Sequence, residues 1–246
     1  MTAFDVVLLI VGGAFAGVIN AMAGGGSMLT VPLLVIAGVP GVAANGSNRV
    51  GILTSTYSSI AGFRKEGVKV AVRTMVPILG PAIAGSLLGA YGIGQLADDN
   101  FERLFGLLMI PLIILTVRKP RVSVGATVWP LPLTVTLFFL IGIYAGAIQA
   151  GVGLLILTAL SRSGLDLVTA NVMKVTFNFT ATAIALPVFI WQGNVRWGPA
   201  IVLAAGLTVG GWLGARFAVR GGERWIRWVM IVSALALAVR LIAFAG

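Results

Sequence analysis

The chain has 246 residues, of which 59% are hydrophobic and 10% charged, and its mean hydropathy is +1.05. Soluble domains carry about 25% charged residues, so the composition excludes an ordinary soluble protein. The sequence contains no cysteine and no histidine, which removes disulfides, thiolate chemistry and the usual transition-metal ligands. The net charge of +10 fits basic cytoplasmic loops of a membrane protein better than nucleic-acid binding.

Ten hydrophobic segments follow one another, and most approach the ~20 residues that a membrane-spanning helix needs. The first starts almost at Met1, without the basic region of a cleaved signal. The second segment of each half is too short to span, which favours a half-helix or re-entrant piece. The sequence therefore predicts an all-α polytopic membrane protein. The segments are 5–23, 28–39, 42–63, 71–94, 101–117, 127–148, 152–161, 166–191, 198–219 and 225–245.

The two halves of the chain resemble each other. Residues 16–21 (AGVINA) match 145–150 (AGAIQA), and 85–90 (GSLLGA) match 210–215 (GGWLGA). Chance similarity between apolar segments is the alternative, but the conserved order of several such matches favours duplication. We therefore expect one repeat in each half, joined by a short linker. The predicted domains are a first transmembrane repeat at 1–117, a cytoplasmic linker at 118–126 and a second repeat at 127–246.

Loop charges predict the orientation of each repeat. The loop after the third segment is strongly basic and hence cytoplasmic, whereas the equivalent loop at 192–196 is nearly uncharged. Equivalent loops then lie on opposite sides of the membrane, with the N-terminus outside. Two inverted-topology repeats are the plan of many secondary transporters, whose site lies near the bilayer midplane. The basic residues used are Arg64, Lys65, Lys69 and Arg73, then Arg118, Lys119 and Arg121, then Arg216, Arg220, Arg224 and Arg227.

Two cations fall inside hydrophobic segments. Arg49 lies about seven residues into its hydrophobic segment and Lys174 about eight residues into the matching one, which is roughly 10 Å from the start of each helix. A charge at that depth is costly unless it faces a protein interior or a water-filled cavity. Snorkelling to the interface is the alternative. Their equivalent positions in the two halves, and the amides and hydroxyls around them, favour a binding site.

Glycines interrupt the helices close to these cations. Gly24, Gly25 and Gly26 predict exposed backbone, which membranes tolerate where it lines a cavity. A helix starting near Ser27 would direct free N–H groups and its positive end at an anion. Close helix packing is the alternative role for glycines, and we prefer it for the other glycine pairs. The predicted substrate-binding residues are Asn20, Gly24, Gly25, Gly26, Ser27, Asn45, Asn48, Arg49, Gln149, Gly151, Gly153, Asn171, Lys174 and Asn178.

No residue pattern indicates an enzyme. The seven acidic residues lie at segment ends or in loops, so no carboxylate is placed in mid-membrane to relay a proton. No nucleophile has a base beside it, and no metal site is apparent. We expect no cofactor, no metal and no nucleic acid. The expected partners are a small anion and the lipid bilayer, and the glycine-rich fourth segments could also serve a homodimer.

Four motifs together resemble the sulfite exporter TauE/SafE family of bacterial membrane transporters. They are AGGGSMLTVPLL at 23–34, ANGSNRVGIL at 44–53, GNVRW at 193–197 and GARF at 214–217. The resemblance covers nearly the whole chain. It implies a duplicated helical fold in the bacterial inner membrane and transport of small sulfur-containing anions. It also implies that Asn48, Arg49, Asn171 and Lys174 lie in the transport path.

The sequence thus favours a secondary transporter that carries a small anion by alternating access. Physical reasoning indicates an anion, and the resemblance narrows it to a sulfur oxyanion or organosulfonate such as sulfite or sulfoacetate. A passive anion channel and a non-transporting assembly or anion-sensing protein are the alternatives.

Overall fold

The fold is helical throughout the part that the computed structural model describes, residues 1–22, 24–68, 72–117, 130–161 and 167–244. No strand occurs in these ranges, which confirms the predicted all-helical class. The predicted linker at 118–126 lies outside the described residues. The helices are α1 (Ala3–Met22), α2 (Ser27–Ile36), α3 (Gly41–Lys65), α4 (Val76–Ile93, after a 3-10 turn at Val72–Met75), α5 (Asp98–Val117), α6 (Leu131–Ala147), α7 (Val152–Ser161), α8 (Leu167–Trp191) and α9 (Trp197–Phe244).

Four stretches of the described helices are long and apolar enough to cross a membrane: Ala3–Met22, Val76–Ile93, Val168–Trp191 and Trp197–Gly221. The helices α2 and α7 have 10 residues each, or about 15 Å at 1.5 Å per residue. That is half of the ~30 Å hydrocarbon core. These two helices are therefore too short to span the bilayer alone, as their segment lengths predict.

The prediction of separate segments at 198–219 and 225–245 is wrong. The helix α9 runs unbroken through 48 residues, so the arginines assigned to a loop, Arg216, Arg220, Arg224 and Arg227, lie on a helix. Loop charge does not end a helix, and two glycines in the interior cost only about 1 kcal/mol each. No proline follows them to force a stop.

Two pairs of parallel helices pack through glycines. The helix α1 lies along α9, and α6 lies along α4. A methyl group added to Gly17 would lie 2.9 Å from the nitrogen of Gly211, and one added to Gly89 would lie 2.8 Å from the nitrogen of Ala147. Small residues of this kind let membrane helices approach closely. The glycines of the fourth segments are thus used for packing within one subunit.

Gly146 tests this packing because it lies where α6 meets α4. A methyl group there would collide with the carbonyl oxygen of Ser86 and lie 2.6 Å from its Cα. We expect Gly146→Ala to lower the free energy of unfolding by about 1–3 kcal/mol, the usual effect of overpacking. Thermal unfolding in detergent measures it. Gly80→Ala is the matched control, since Gly80 faces open space on α4. Equal stability of the two variants would contradict the packing described.

Candidate functional site

The chain reverses sharply at two turns, between α1 and α2 and between α6 and α7. Gly24 has φ +82°, while Gln149 and Gly151 have φ 64° and 71°. Glycine adopts this left-handed region freely, but it costs a side-chain-bearing residue such as Gln149 about 1–2 kcal/mol. The Gly24 N–H donates to the carbonyls of Ile19 and Asn20 at 3.1 and 3.0 Å. This pair of bonds closes the C-terminal end of α1.

The turn between α1 and α2 touches the first residues of α7 through glycines. A methyl group on Gly24 would collide with the Cα of Gly153 and lie 2.7 Å from its carbonyl carbon. One on Gly153 would lie 2.9 Å from both the Gly24 oxygen and the Lys174 Cδ. Only glycine fits at either position, so the backbone of the first turn lies directly against the start of α7.

Arg49 bonds to the end of a helix in the other half of the chain. Its side chain is fully buried on α3. Nη1 donates to the carbonyl of Ala145 at 3.0 Å, and Nη2 donates to those of Gly146 and of Ala147, the latter at 3.1 Å. Its Cζ lies 4.4 Å from the centre of the Phe189 ring, a cation–π distance. Arg49 therefore neutralises the negative C-terminal end of α6.

Lys174 makes the reciprocal contact. It is fully buried on α8, and its Nζ donates to the carbonyls of Asn20 and Ala21 at 2.8 and 3.0 Å. Each cation thus holds the C-terminal end of a helix from the opposite half. Neither side chain reaches the surface, so snorkelling does not describe them.

The charge of these cations has no buried counterpart in the described part of the chain. The carboxylates whose surroundings are described, Asp5, Glu66, Asp98, Asp99 and Glu102, all keep exposed surface. The partial charge at each helix C-terminus amounts to roughly −0.5, which is less than one cation carries. Among the described residues, the surroundings of Arg49 and Lys174 are therefore net positive.

All of the predicted site residues are buried, and their contacts form two clusters, one around each cation. Near Arg49, Asn45 Nδ2 donates to the Ala147 carbonyl at 2.7 Å, and Asn48 Oδ1 accepts from Thr30 Oγ1 at 2.6 Å. Near Lys174 lie Asn20, Gly24 and Gly153. Two further predicted residues contact other side chains: Gln149 bonds to Thr182, and Gly151 lies against Leu112. The others are also buried: Gly25, Gly26 and Ser27 lie close to the first turn, and Asn171 and Asn178 lie along α8.

Several polar atoms of these residues have no hydrogen-bond partner among the described residues. The unpaired donors are Arg49 Nε, Asn48 Nδ2 and Asn171 Nδ2; the unpaired acceptors are Asn45 Oδ1, Gln149 Oε1, Asn171 Oδ1 and Asn178 Oδ1. Buried polar groups are almost always hydrogen-bonded, and each exception calls for an explanation.

Three side chains and a set of carbonyls contact the predicted residues although the sequence did not point to them. Thr30 lies in the glycine-rich motif and could have been included. Thr182 and Phe189 lie in an apolar run and carry no signal of their own. The carbonyls at the ends of α1 and α6 exist whatever the side chains, so no sequence pattern could point to them.

The turns that follow α3 and α8 lie at opposite ends of α3. Beyond the C-terminal end of α3, Glu66 accepts hydrogen bonds from Arg216 and Arg220 at 3.0 and 3.2 Å. At the N-terminal half, the Arg196 N–H donates to Ser47 Oγ at 2.8 Å. The two ends of the helix bundle are thus fixed by different kinds of contact.

The hydrogen bonds from Arg220 and then Arg216 lower the pKa of Glu66 below its ordinary value. A lowered folded-state pKa stabilises the protein at neutral pH, and that stabilisation is lost as the pH falls through the folded value. We expect the wild type to unfold at a higher temperature than Glu66→Gln at pH 7, and the difference to vanish well below the ordinary glutamate pKa of about 4.3. Thermal unfolding at several pH values measures it; a difference that does not change with pH would contradict this account.

Comparison with known proteins gives one concordant result. The family profile described as "Sulfite exporter TauE/SafE" matches residues 9–241. A "Probable membrane transporter protein ORF9" from Sinorhizobium sp is 29% identical, covering 96% of this chain and 91% of its own. A "Probable membrane transporter protein" from Haemophilus influenzae is 26% identical (94% and 91%), and YfcA of Escherichia coli K12, of the same description, is 24% identical (92% and 86%). No solved structure matches.

Proposed function

The chain belongs to the sulfite exporter TauE/SafE family and is a multi-pass membrane transporter, not an enzyme, and from this premise we propose that it carries a small sulfur oxyanion or organosulfonate by alternating access. Sulfite and sulfoacetate are examples of the class. The observation that carries the choice of an anion is the complete burial of Arg49 and Lys174 without a buried carboxylate among the described residues.

The energetics of these cations favour a functional role. Removing one ion from water costs several kcal/mol even after the protein relaxes. The two helix ends offset only part of this, since together they carry about one negative charge. A bound anion supplies the missing counter-charge. Ionisable groups kept inside membrane proteins at such cost commonly mark a transport pathway.

The proposed site lies where the first turn meets the start of α7. The anion would take up the unpaired donors Arg49 Nε and Asn48 Nδ2, together with the ammonium group of Lys174. The N-terminal ends of α2 and α7 begin directly after the turns and add positive potential. The other predicted residues complete the lining: Asn20, Gly24, Gly25, Gly26, Ser27, Asn45, Gln149, Gly151, Gly153, Asn171 and Asn178.

We further propose that residues 1–117 and 127–246 are inverted repeats with glycine-broken helices. Reciprocal contacts support this plan. The first helix of each half packs on a helix of the other, α1 on α9 and α6 on α4. Each buried cation bonds to the first helix of the opposite half. The turn after α3 and the turn after α8 occupy equivalent positions in the two halves of the sequence, and they lie at opposite ends of α3.

In alternating access, the bonds of Arg49 to α6 and of Lys174 to α1 would form and break during the transport cycle. In this structure each cation holds a helix end of the other half of the chain, and Gly24 contacts Gly153 beside Lys174. An anion bound at Arg49 Nε and Lys174 would compete with the carbonyl oxygens for these two cations, because a bond between a cation and an anion adds the attraction of two full charges to the hydrogen bond. Loosening one helix end at a time lets the repeats rock around the bound anion.

The orientation follows from charge. Arg64 and Lys65 at the end of α3 lie at the same end of the bundle as Arg216 and Arg220. Basic residues collect on the cytoplasmic side. We therefore place that end, with the linker at 118–126, in the cytoplasm and the N-terminus outside, in the bacterial inner membrane.

A binding screen tests the substrate class. Purified protein is titrated with sulfite, thiosulfate, sulfoacetate, taurine and sulfate, and at least one sulfur anion should bind, with affinity lost in the variant Arg49→Met. Exposed Arg64→Met is the control that removes the same charge outside the site. Failure of every sulfur anion to bind, together with no flux in proteoliposomes, would favour a non-transporting assembly or sensing protein. A passive channel is the second alternative, and it would not move the anion uphill.

A further inference from the structure

The unpaired atoms around Arg49 include a hydrogen-bond acceptor, which a simple oxyanion cannot satisfy. Asn45 Nδ2 donates to the Ala147 carbonyl at 2.7 Å. This bond fixes the orientation of the amide, because reversing it would place two oxygens together. Asn45 Oδ1 is consequently a true acceptor, fully buried and without a partner among the described residues.

This acceptor lies beside the donors of the proposed site. The Ala147 carbonyl also accepts from Arg49 Nη2, at 3.1 Å. Two nitrogens bonded to one oxygen at these distances are less than about 6 Å apart. Arg49 Nε and Asn48 Nδ2 remain as unpaired donors. The side chains of Arg49 and Asn45 therefore meet at one carbonyl oxygen, and these neighbours offer an unpaired donor, Arg49 Nε, and an unpaired acceptor, Asn45 Oδ1.

A further unpaired acceptor occurs on the side of Lys174. Asn178 lies one helical turn after Lys174 on α8, and its Oδ1 has no partner in the described part of the chain. A buried acceptor left without a donor has lost its bonds to water and gained none in return. Sulfate, thiosulfate and simple alkanesulfonates carry no donor and would leave this cost in place.

We propose, on the basis of the transport function above, that the substrate is a sulfur oxyanion or sulfonate that also carries a neutral O–H group, and that Asn45 Oδ1 accepts the hydrogen bond from it. A hydroxyl fits better than an ammonium group. The described residues around Arg49 and Lys174 are already net positive, and a third cation beside them would be repelled. Both a hydroxyalkanesulfonate and a protonated oxyanion such as hydrogen sulfite have this chemistry.

Three sulfonates with the same two-carbon chain distinguish no donor, a neutral O–H donor and an ammonium donor: they are ethanesulfonate, 2-hydroxyethanesulfonate and taurine. Their affinities for the purified wild-type protein are measured by calorimetry at neutral pH. We expect 2-hydroxyethanesulfonate to bind at least about tenfold more tightly than ethanesulfonate, the effect of satisfying one buried acceptor. Taurine should bind more weakly than the hydroxylated compound.

The variant Asn45→Leu should remove the difference between 2-hydroxyethanesulfonate and ethanesulfonate. Thr54→Val is the control on the same helix, since Thr54 Oγ1 bonds to Thr208 and to Gly51, and it should keep the difference. The wild-type comparison alone suffices if Asn45→Leu does not fold. Equal affinities in the wild type, or tighter binding of sulfate, would overturn the O–H requirement and leave the transport function standing. Failure of all these anions to bind would overturn both.

Discussion

Replacing Lys174 by methionine should weaken binding of the transported anion by about ten- to a hundredfold without lowering thermal stability. The anion loses a charge-assisted hydrogen bond worth about 1.5–3 kcal/mol, and each 1.4 kcal/mol is a factor of ten. The carbonyls of Asn20 and Ala21 lose their donor, at about 1–3 kcal/mol each. The methionine carries no charge, so the substitution also removes the desolvation cost of several kcal/mol of a buried, incompletely neutralised ion.

Calorimetric titration with sulfite and thermal unfolding of the same preparation measure both quantities. Lys65→Met is the matched control, because Lys65 is an exposed lysine at the end of α3, and it should change neither. Wild-type affinity in Lys174→Met would show that Lys174 does not contact the anion. A large loss of stability would show that its role is to hold α1.

Gly153→Ala should reduce the rate of transport at least about tenfold. A methyl group at this position collides with Gly24 and lies 2.9 Å from the Lys174 side chain, so the first turn and the start of α7 must separate by a few tenths of an ångström or more. Overpacking of this kind typically costs 1–3 kcal/mol. If the transporter passes through a closed state in which Gly24 and Gly153 touch, the alanine raises the free energy of that state and slows transport by about tenfold or more.

Initial uptake rates in proteoliposomes measure the effect. Gly106→Ala serves as the control, since Gly106 on α5 faces open space and alanine favours the helix. A Gly153→Ala rate equal to the wild-type rate would contradict a functional role for the contact between Gly24 and Gly153.

The helical elements could be predicted from the sequence because hydrophobic runs and glycine punctuation are local signals. The segments predicted at 5–23, 42–63 and 152–161 agree within a few residues with α1, α3 and α7. The long helix α9 could not be predicted in this way. The glycine pair at 221–222 and the charged residues after it are typical of a loop, although neither feature forbids a helix.

The residues of the candidate site could be named from the sequence, but their partners could not. Arg49 and Lys174 stand out because charge is rare at such depth. Their bonds go to main-chain carbonyls of α6 and α1, which every sequence possesses. Only the packing of one half of the chain against the other brings those carbonyls to the cations. The stacking of Phe189 on Arg49 depends on the same packing and leaves no trace in an apolar run.

Counterflow in proteoliposomes tests the central claim most directly, that Arg49 and Lys174 bind an anion carried by alternating access. Vesicles holding purified protein are loaded with unlabelled sulfite, and uptake of labelled sulfite from outside is followed. We expect the internal anion to accelerate uptake and to drive transient accumulation above equilibrium, and we expect Lys174→Met to lose both effects. Uptake that is indifferent to internal anion, or counterflow that persists undiminished in Lys174→Met, would contradict the account.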